Sequence, residues 1–295
     1  MTELGGFLAG GIVAGAIYGV FAVCLCMLFR VSLVLNLAIG EFAMIGALGT
    51  DGLVRLHGLP VALAIPAVLL AIAAFSYLFD LTVLRPAVAR DHGNDVIFIL
   101  FFFTLALAFF LQGVGRNLFG IEVHGAPSIW PGDSVAIAGV RVQRAGLLVL
   151  ALALAVGAAF AAYLRSSLAG KAMTACGEND IGARIVGIRP GTLRRATFVG
   201  MAVLAAVFGI VLSPLSGFTY ASGATLGLSG LIAAGFAGLT SPARAITAGV
   251  GIGIAEAMIA GYVTTEYQVA LVYGLLIAVI LARPQLLGTA AGATR

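Results

Sequence analysis

The chain has 295 residues, of which 61% are hydrophobic and only 9% are charged, with a formal net charge of +4. Soluble domains carry about 25% charged residues, so this composition excludes an ordinary water-exposed globular protein. The three cysteines are too few and too irregularly spaced for a disulfide framework or a zinc site. The basic residues fall between apolar segments, which favours a role in membrane topology over nucleic-acid binding.

Long charge-free runs predict membrane spans. Leu4 to Phe29 holds 26 residues without a charge, and 196–243 holds 48. A hydrocarbon core of about 30 Å needs about 20 apolar residues in a helix, so the second run is long enough to cross twice. We therefore predict an all-α polytopic membrane protein with about eight or nine transmembrane helices in a single domain over residues 1–295. The predicted spans are 5–29, 31–52, 59–83, 96–115, 145–164, 196–215, 222–241, 245–264 and 267–282.

The second of these spans is the least regular. Arg30 precedes it, Glu41 interrupts it and Asp51 closes it. Irregular backbone is tolerated at membrane depth where protein or water covers it. The segment 31–52 therefore either crosses the membrane or enters it and returns.

The distribution of basic residues predicts the orientation. With nine crossings and the N-terminus outside, the cytoplasmic side receives twelve of the sixteen Lys and Arg residues. The C-terminus is then cytoplasmic. A re-entrant 31–52 would move only the N-terminus to the inside.

Two longer polar connections join the spans. The outer one, 116–143, contains the sequence VAIAGVRV, which predicts a short strand or a hairpin, and Trp130, which suits the membrane interface. The inner one, 165–195, predicts one short amphipathic helix within Lys171 to Ile188, which Gly187 and the following Pro190 and Gly191 stop. Such a helix suits docking to a cytoplasmic protein, or alternatively rests on anionic lipid. Its acidic residues favour the protein partner.

Small residues recur at every fourth position in three spans, a pattern that lets helix backbones approach closely in a membrane. The stripes are Gly11, Gly15 and Gly19; Gly230, Ala234 and Gly238; and Gly249, Gly253, Ala257 and Gly261.

Two acids, Glu41 and Glu256, interrupt otherwise apolar spans. A charged side chain at the bilayer centre costs about 2.5–3.5 kcal/mol on insertion scales, so such residues usually face a pathway or a partner. Asp80 is expected near the inner end of its span, close to water. The sequence contains no phosphate-binding G-x-x-x-x-G-K-[ST] motif and no catalytic cluster, so we do not expect an enzyme.

Several motifs in order along the chain resemble the permease subunits of branched-chain amino-acid ABC importers of the LivH type. GIVAGAIYGVFAVCLCMLFRVSLVLNLAIGEFAMIGAL resembles their first segments, ACGENDIGARIVGI their coupling segment, GFAGLTSPARAITAGVGIGIAEAMIAGY a later Gly-rich stretch, and RPQLLG their ending. One departure is Ile39, where the family commonly has His before the Gly-Glu pair. This change points to an altered solute.

The resemblance implies a bacterial inner-membrane permease that imports a branched-chain amino acid or a related small polar or carboxylated solute by alternating access. Its implied pathway residues are Tyr18, Asn36, Glu41 and Glu256, and its implied coupling residues are Glu178, Asp180, Arg184 and Gly187. The implied partners are a second permease subunit of the LivM type, two cytoplasmic ATPase subunits that bind ATP and Mg, an outer solute-binding protein and membrane lipid, with no nucleic acid. The alternative is an ion-coupled secondary transporter or channel that uses Glu41 or Glu256.

Overall fold

The computed structural model describes residues 2–32, 34–90, 95–125, 134–137, 140–239 and 241–262, together with the single positions 270, 274, 277 and 281. Within these ranges the chain is mainly helical, which confirms the all-α prediction. The helices are α1 (Thr2–Ser32), α2 (Ile39–His57), α3 (Val61–Phe79), α4 (Arg85–Arg90), α5 (Asp95–Phe119), α6 (Arg144–Ser166), α7 (Leu168–Glu178), α8 (Asp180–Ile185), α9 (Pro190–Ser216), α10 (Ser222–Phe236) and α11 (Pro242–Tyr262). Strands β1 (Ser134–Ile137) and β2 (Val140–Gln143) pair antiparallel, so of the two predicted alternatives the hairpin is correct.

Six helical segments among the described residues are long and apolar enough to cross a membrane. They are Leu4–Ser32, Val61–Val88, Phe98–Phe119, Arg144–Ser166, Pro190–Ser216 and Pro242–Tyr262. The predicted span 222–241 is the 15-residue helix α10, which is shorter than the roughly 20 residues a crossing needs. Apart from the isolated positions, the predicted span 267–282 lies outside the described residues, as does Trp130.

The described residues group into two compact units. The first comprises those within 1–26, 130–163 and 229–295, and the second those within 27–129 and 164–228.

The core of the first unit is a close contact between α1 and α11. A Cβ atom added to Gly15 would lie 2.5 Å from the carbonyl oxygen of Gly249, and one added to Gly11 would lie 2.8 Å from that of Gly253. The two predicted glycine stripes therefore pack against each other, backbone to backbone, as small residues allow in membrane helices. In the third stripe Gly230 packs against Phe21, whereas Gly238 has a φ of 70° and lies beyond the end of α10.

The second unit is built around α2, whose residues are buried over most of its length. A Cβ atom on Gly46 would lie 2.8 Å from the carbonyl oxygen of Ala206, and one on Gly209 would overlap the backbone of Ala43. These glycines let α2 and α9 approach closely. By contrast α3 buries only a narrow stripe, so most of its apolar surface, such as Leu70 at 70% exposed, is left for lipid.

The segment 31–52, predicted to be the least regular of the spans, is not one helix. Helix α1 continues to Ser32, residues 34–38 are not helical, and α2 begins at Ile39. The Asn36 side-chain oxygen accepts a hydrogen bond of 2.9 Å from the backbone N–H of Ala38. Such local side-chain bonds compete with helical hydrogen bonds, which gives the break a physical cause.

The predicted span 59–83, which contains α3, also ends later than predicted. Helical structure runs past residue 83 through a π-helical turn, Asp80–Leu84, into α4. In this turn the backbone N–H of Arg85 donates to the carbonyl oxygen of Asp80, the five-residue spacing of a π-helix. Asp80 itself is buried, and its Oδ2 accepts a 2.6 Å bond from Arg195 Nε. The ion pair satisfies the carboxylate that burial would otherwise penalise.

Candidate functional site

Two of the predicted pathway residues lie in the turn between α1 and α2 and in the first turn of α2. Asn36 is 4% exposed and Glu41 is 2% exposed. Asn36 faces a small cavity of about 40 Å³ that Thr104 and Arg194 also line. The break in the helix therefore places two polar side chains within a buried region of the second unit.

Glu41 lies where the first turns of two helices meet. It belongs to the first turn of α2, and a Cβ atom on Gly223, in the first turn of α10, would overlap its carboxyl group. Gly40 is packed just as closely, since its Cβ would lie 2.8 Å from Cα of Gly227. Among the described residues the Glu41 Oε2 atom has no hydrogen-bond partner. Helix N-termini favour negative charge, so the two helix starts can support this carboxyl group without a side-chain donor.

The other two pathway candidates lie in the first unit. Tyr18 is half-buried in α1, next to the contact residue Gly19, and Glu256 is half-buried in the interior of α11. The structure thus divides the four candidates between the two units. Their assignment to one pathway stays a prediction.

The predicted coupling helix is in fact two short helices, so the interpretation of Lys171–Ile188 as one helix was wrong. Asn179 separates α7 from α8, and its side-chain oxygen accepts a 2.8 Å bond from the backbone N–H of Gly182. This is a helix N-cap, which starts a new helix at Asp180. Exposed Glu178 ends α7 and Asp180 begins α8, so two of the predicted coupling residues flank the cap.

Gly187 ends the helix pair. Its φ is 85°, its N–H donates to the Arg184 carbonyl, and the Ile188 N–H donates to the Ala183 carbonyl. These two bonds form a Schellman motif, in which glycine is favoured because it adopts positive φ without strain. The helix therefore ends at Gly187 as predicted, whereas Pro190 and Gly191, also predicted to stop it, form the first turn of α9.

Three apolar residues on and just after α8 are exposed to solvent, and the sequence interpretation overlooked them. Ile181, Ile185 and Val186 are 73%, 80% and 74% exposed. The i,i+4 spacing of the two isoleucines places them on one helix face and is visible in the sequence, but the predicted docking residues were the charged ones. An apolar face rimmed by Glu178 and Arg184 is typical of a docking surface.

Helix α7 is held against the end of α1. Arg30 Nη1 donates a 2.7 Å bond to Thr174 Oγ1, and a Cβ on Gly177 would overlap the Arg30 carbonyl oxygen. The connection is therefore both polar and tightly packed. A displacement of α7 would act directly on the last turn of α1, next to the break that leads to Glu41.

A polar cluster that was not predicted joins α2 to the segment after α5. Asp51, only 1% exposed, accepts a 2.7 Å bond from Arg55 Nε and contacts His124 Nδ1 at 3.0 Å. His124 Nε2 lies 2.8 Å from the Phe119 carbonyl oxygen, and its backbone pairs with that of Phe218. The cluster fixes the segment after α5 to both α2 and the end of α9.

Comparison with known proteins matches residues 7–280 to the family described as the branched-chain amino acid transport system permease component. The chain belongs to this family. The membership supports the importer permease over the ion-coupled alternative, and it agrees with a multi-pass membrane protein that is not itself an enzyme.

Named relatives resemble the permease along nearly its whole length. It is 27% identical over 290 residues to the high-affinity branched-chain amino acid transport system permease protein BraD of Pseudomonas aeruginosa, covering 94% of this chain and 93% of the relative. It is also 27% identical over 290 residues to the corresponding LivH proteins of Salmonella typhimurium and Escherichia coli, covering 93% of this chain and 92% of each relative. No solved structure matches it.

Proposed function

We propose that this permease moves a branched-chain amino acid, or a related small carboxylated solute, across the bacterial inner membrane in an importer driven by separate ATPase subunits. The family match over residues 7–280 carries the proposal. The relatives named for branched-chain amino acid transport cover almost the whole chain and support the solute class. A second permease subunit of the LivM type and an outer solute-binding protein complete the proposed assembly, and we propose a cytoplasmic C-terminus.

The proposed solute pathway includes Tyr18, Asn36, Glu41 and Glu256. The best support concerns Glu41, because interrupted helices in transporters present their N-termini near the solute. Here the first turns of α2 and α10 meet at Glu41, beside a break at residues 34–38. Ile39, which stands where the family commonly has His, is fully buried near Glu41. This difference therefore affects the packing of the turn rather than an exposed wall of the proposed pathway.

The proposed ATPase-docking surface is the α7–α8 pair, with Glu178, Asp180, Arg184 and the stop at Gly187. Exposed Ile181 and Ile185 supply the apolar contact, and the charged residues around them set the register with the partner. ATP binding would shift α7, and the Arg30–Thr174 connection would carry that shift to the end of α1. The solute and the ATPases then bias the same two states of the permease.

Charge reversal tests the docking surface. We expect Glu178→Lys with Asp180→Lys to reduce co-purification of the ATPase subunits and solute uptake together. The matched control is Glu122→Lys, an exposed acid on the other long connection. Normal assembly and uptake in the double variant would remove the assignment of these residues to coupling.

Reconstitution separates the proposal from ion-coupled transport. Proteoliposomes that contain this chain alone should show no uptake under a proton or sodium gradient, while the complete assembly should show ATP-dependent uptake. Gradient-driven uptake by the chain alone that is lost in Glu41→Gln or Glu256→Gln would favour the ion-coupled alternative.

A further inference from the structure

A large cleft lies where one candidate span ends and another begins. Its volume is about 630 Å³, and it lies between the π-helical turn with α4 on one side and the start of α9 on the other. The first of these elements closes the span Val61–Val88, and the second opens the span Pro190–Ser216. The cleft is therefore at the boundary of the membrane-embedded part of the second unit.

The cleft is strongly basic. Five arginines line it, against a single carboxylate on Asp80: Arg85, Arg184, Arg189, Arg194 and Arg195. Asp80 is already paired with Arg195, whose guanidinium also lies 5.1 Å from the centroid of the Tyr77 ring. Its carboxylate therefore neutralises only one of the five arginines.

Two of these arginines have side chains that are available to bind a ligand. Arg85 and Arg189 are exposed, and neither guanidinium has a hydrogen bond or ion pair with another residue in the described part of the chain. They enter the cleft from opposite walls, one from the start of α4 and one from the residue before α9. Each guanidinium offers a planar set of N–H donors that matches the oxygens of a phosphate.

The remaining walls indicate an amphipathic ligand. Leu84, Val88 and Ile188 line the same cleft, so apolar surface adjoins the arginines. The first turn of α9, Pro190 to Thr192, also faces it, and helix N-termini favour anions. Basic pockets beside transmembrane helices with adjoining apolar surface are suited to anionic lipid headgroups.

We propose that this cleft binds the phosphate headgroup of an anionic phospholipid, with Arg85 and Arg189 as its principal ligands and Asp80 holding Arg195 at the floor. The apolar wall receives the beginning of the acyl chains. The lipid would join the end of the span containing α3 to the start of α9, and so stabilise the packing of the second unit. The two proposed ligands Arg85 and Arg189 belong neither to the proposed solute pathway nor to the proposed docking residues, although Arg184 lines the cleft as well as the docking surface.

Native mass spectrometry of the purified assembly tests the proposal, with phosphatidylglycerol, cardiolipin, phosphatidylcholine or inorganic phosphate added. We expect the wild type to retain the two anionic lipids and not phosphatidylcholine. Arg85→Gln with Arg189→Gln should weaken anionic-lipid binding about 30-fold, on the scale of about fivefold for each basic residue. Arg85→Lys with Arg189→Lys keeps both charges and should retain most of the binding.

The matched control is Arg165→Gln with Lys171→Gln, which removes two exposed charges outside the cleft. An equal loss in this control would overturn the proposal, because bulk charge would then explain the binding. So would equal retention of phosphatidylcholine, or full displacement of the lipid by inorganic phosphate, which would make the ligand a free anion. Unchanged lipid binding with reduced ATPase co-purification in Arg85→Gln with Arg189→Gln would assign the cleft to a protein contact instead.

Discussion

Replacing Gly15 by alanine is expected to separate α1 from α11. The added Cβ would lie 2.5 Å from both the Gly249 carbonyl oxygen and Val250 Cα. Carbon atoms pack best at about 3.5–4.0 Å, so the backbones must move apart by about 1 Å. Neither obstacle is a side chain that can turn away. Overpacking of this kind costs about 1–3 kcal/mol.

Gly10→Ala provides a control within the same helix. A Cβ on Gly10 meets nothing within 4 Å, and Gly251 in α11 is equally open. Alanine favours helix over glycine by about 1 kcal/mol at either kind of site. The difference between Gly15→Ala and Gly10→Ala therefore isolates the helix contact.

Thermal unfolding of the purified protein in detergent measures this difference. At about 2–4 °C per kcal/mol, Gly15→Ala should unfold between about 2 and 12 °C below Gly10→Ala. Gly251→Ala should behave like Gly10→Ala. Equal unfolding temperatures for Gly15→Ala and Gly10→Ala would refute the direct backbone contact between α1 and α11.

Two further substitutions test other local structures. Asp51→Ala removes the buried acceptor that Arg55 and His124 contact, so it should lower the free energy of unfolding by about 2–3 kcal/mol, and His124→Ala should lower it by less. In a double-mutant cycle by thermal unfolding, purely additive losses would contradict the contact between Asp51 and His124. Gly187→Ala places a Cβ on a residue with a φ of 85° and should lower the free energy of unfolding by about 1 kcal/mol. Gly191→Ala, in open space at the start of α9, should not lower it. Equal unfolding temperatures for these two variants would contradict the Schellman motif at the end of α8.

Patterns of local origin were predictable from the sequence. The alternation in VAIAGVRV gave the correct hairpin because a strand pair depends on neighbouring residues. The stripes through Gly15 and Gly249 predicted close helix contact because small side chains leave the backbone accessible at a fixed spacing. The sequence did not say that these two stripes contact each other, since partner choice depends on the whole unit.

The predicted helix boundaries were wrong where a residue that caps or breaks a helix lies within a longer apolar or helical pattern. Asn36 interrupts a hydrophobic stretch with a side-chain hydrogen bond, and hydropathy averages over such a residue. Asn179 begins α8 as a cap, a signal present in the sequence but outweighed by the continuous helical pattern around it. The predicted span began at residue 196 because Arg194 and Arg195 suggested a loop. Helix α9 in fact starts at Pro190, since proline suits the first helical position.

Long-range polar pairs were beyond the reach of the sequence. Asp80 and Arg195 are 115 positions apart, and no local pattern connects them. The same holds for Asp51 and His124, which belong to α2 and the segment after α5. Their pairing depends on how the helices pack, so it required the structure.

The π-helical turn lets the helix hold one additional residue without changing which residues face the cleft. An α-helix rotates about 100° per residue, whereas the turn Asp80–Leu84 accommodates one residue more than an α-helical turn does. Deleting one residue there would turn the bond between the Arg85 N–H and the Asp80 carbonyl oxygen into an α-helical one, so Arg85 and Val88 would keep their orientation and Asp80 its place beside Arg195. The same deletion in the regular part of α3 would rotate the two sides of the helix against each other by about 100°, so tolerance to loss of one codon is expected at the turn and not in α3.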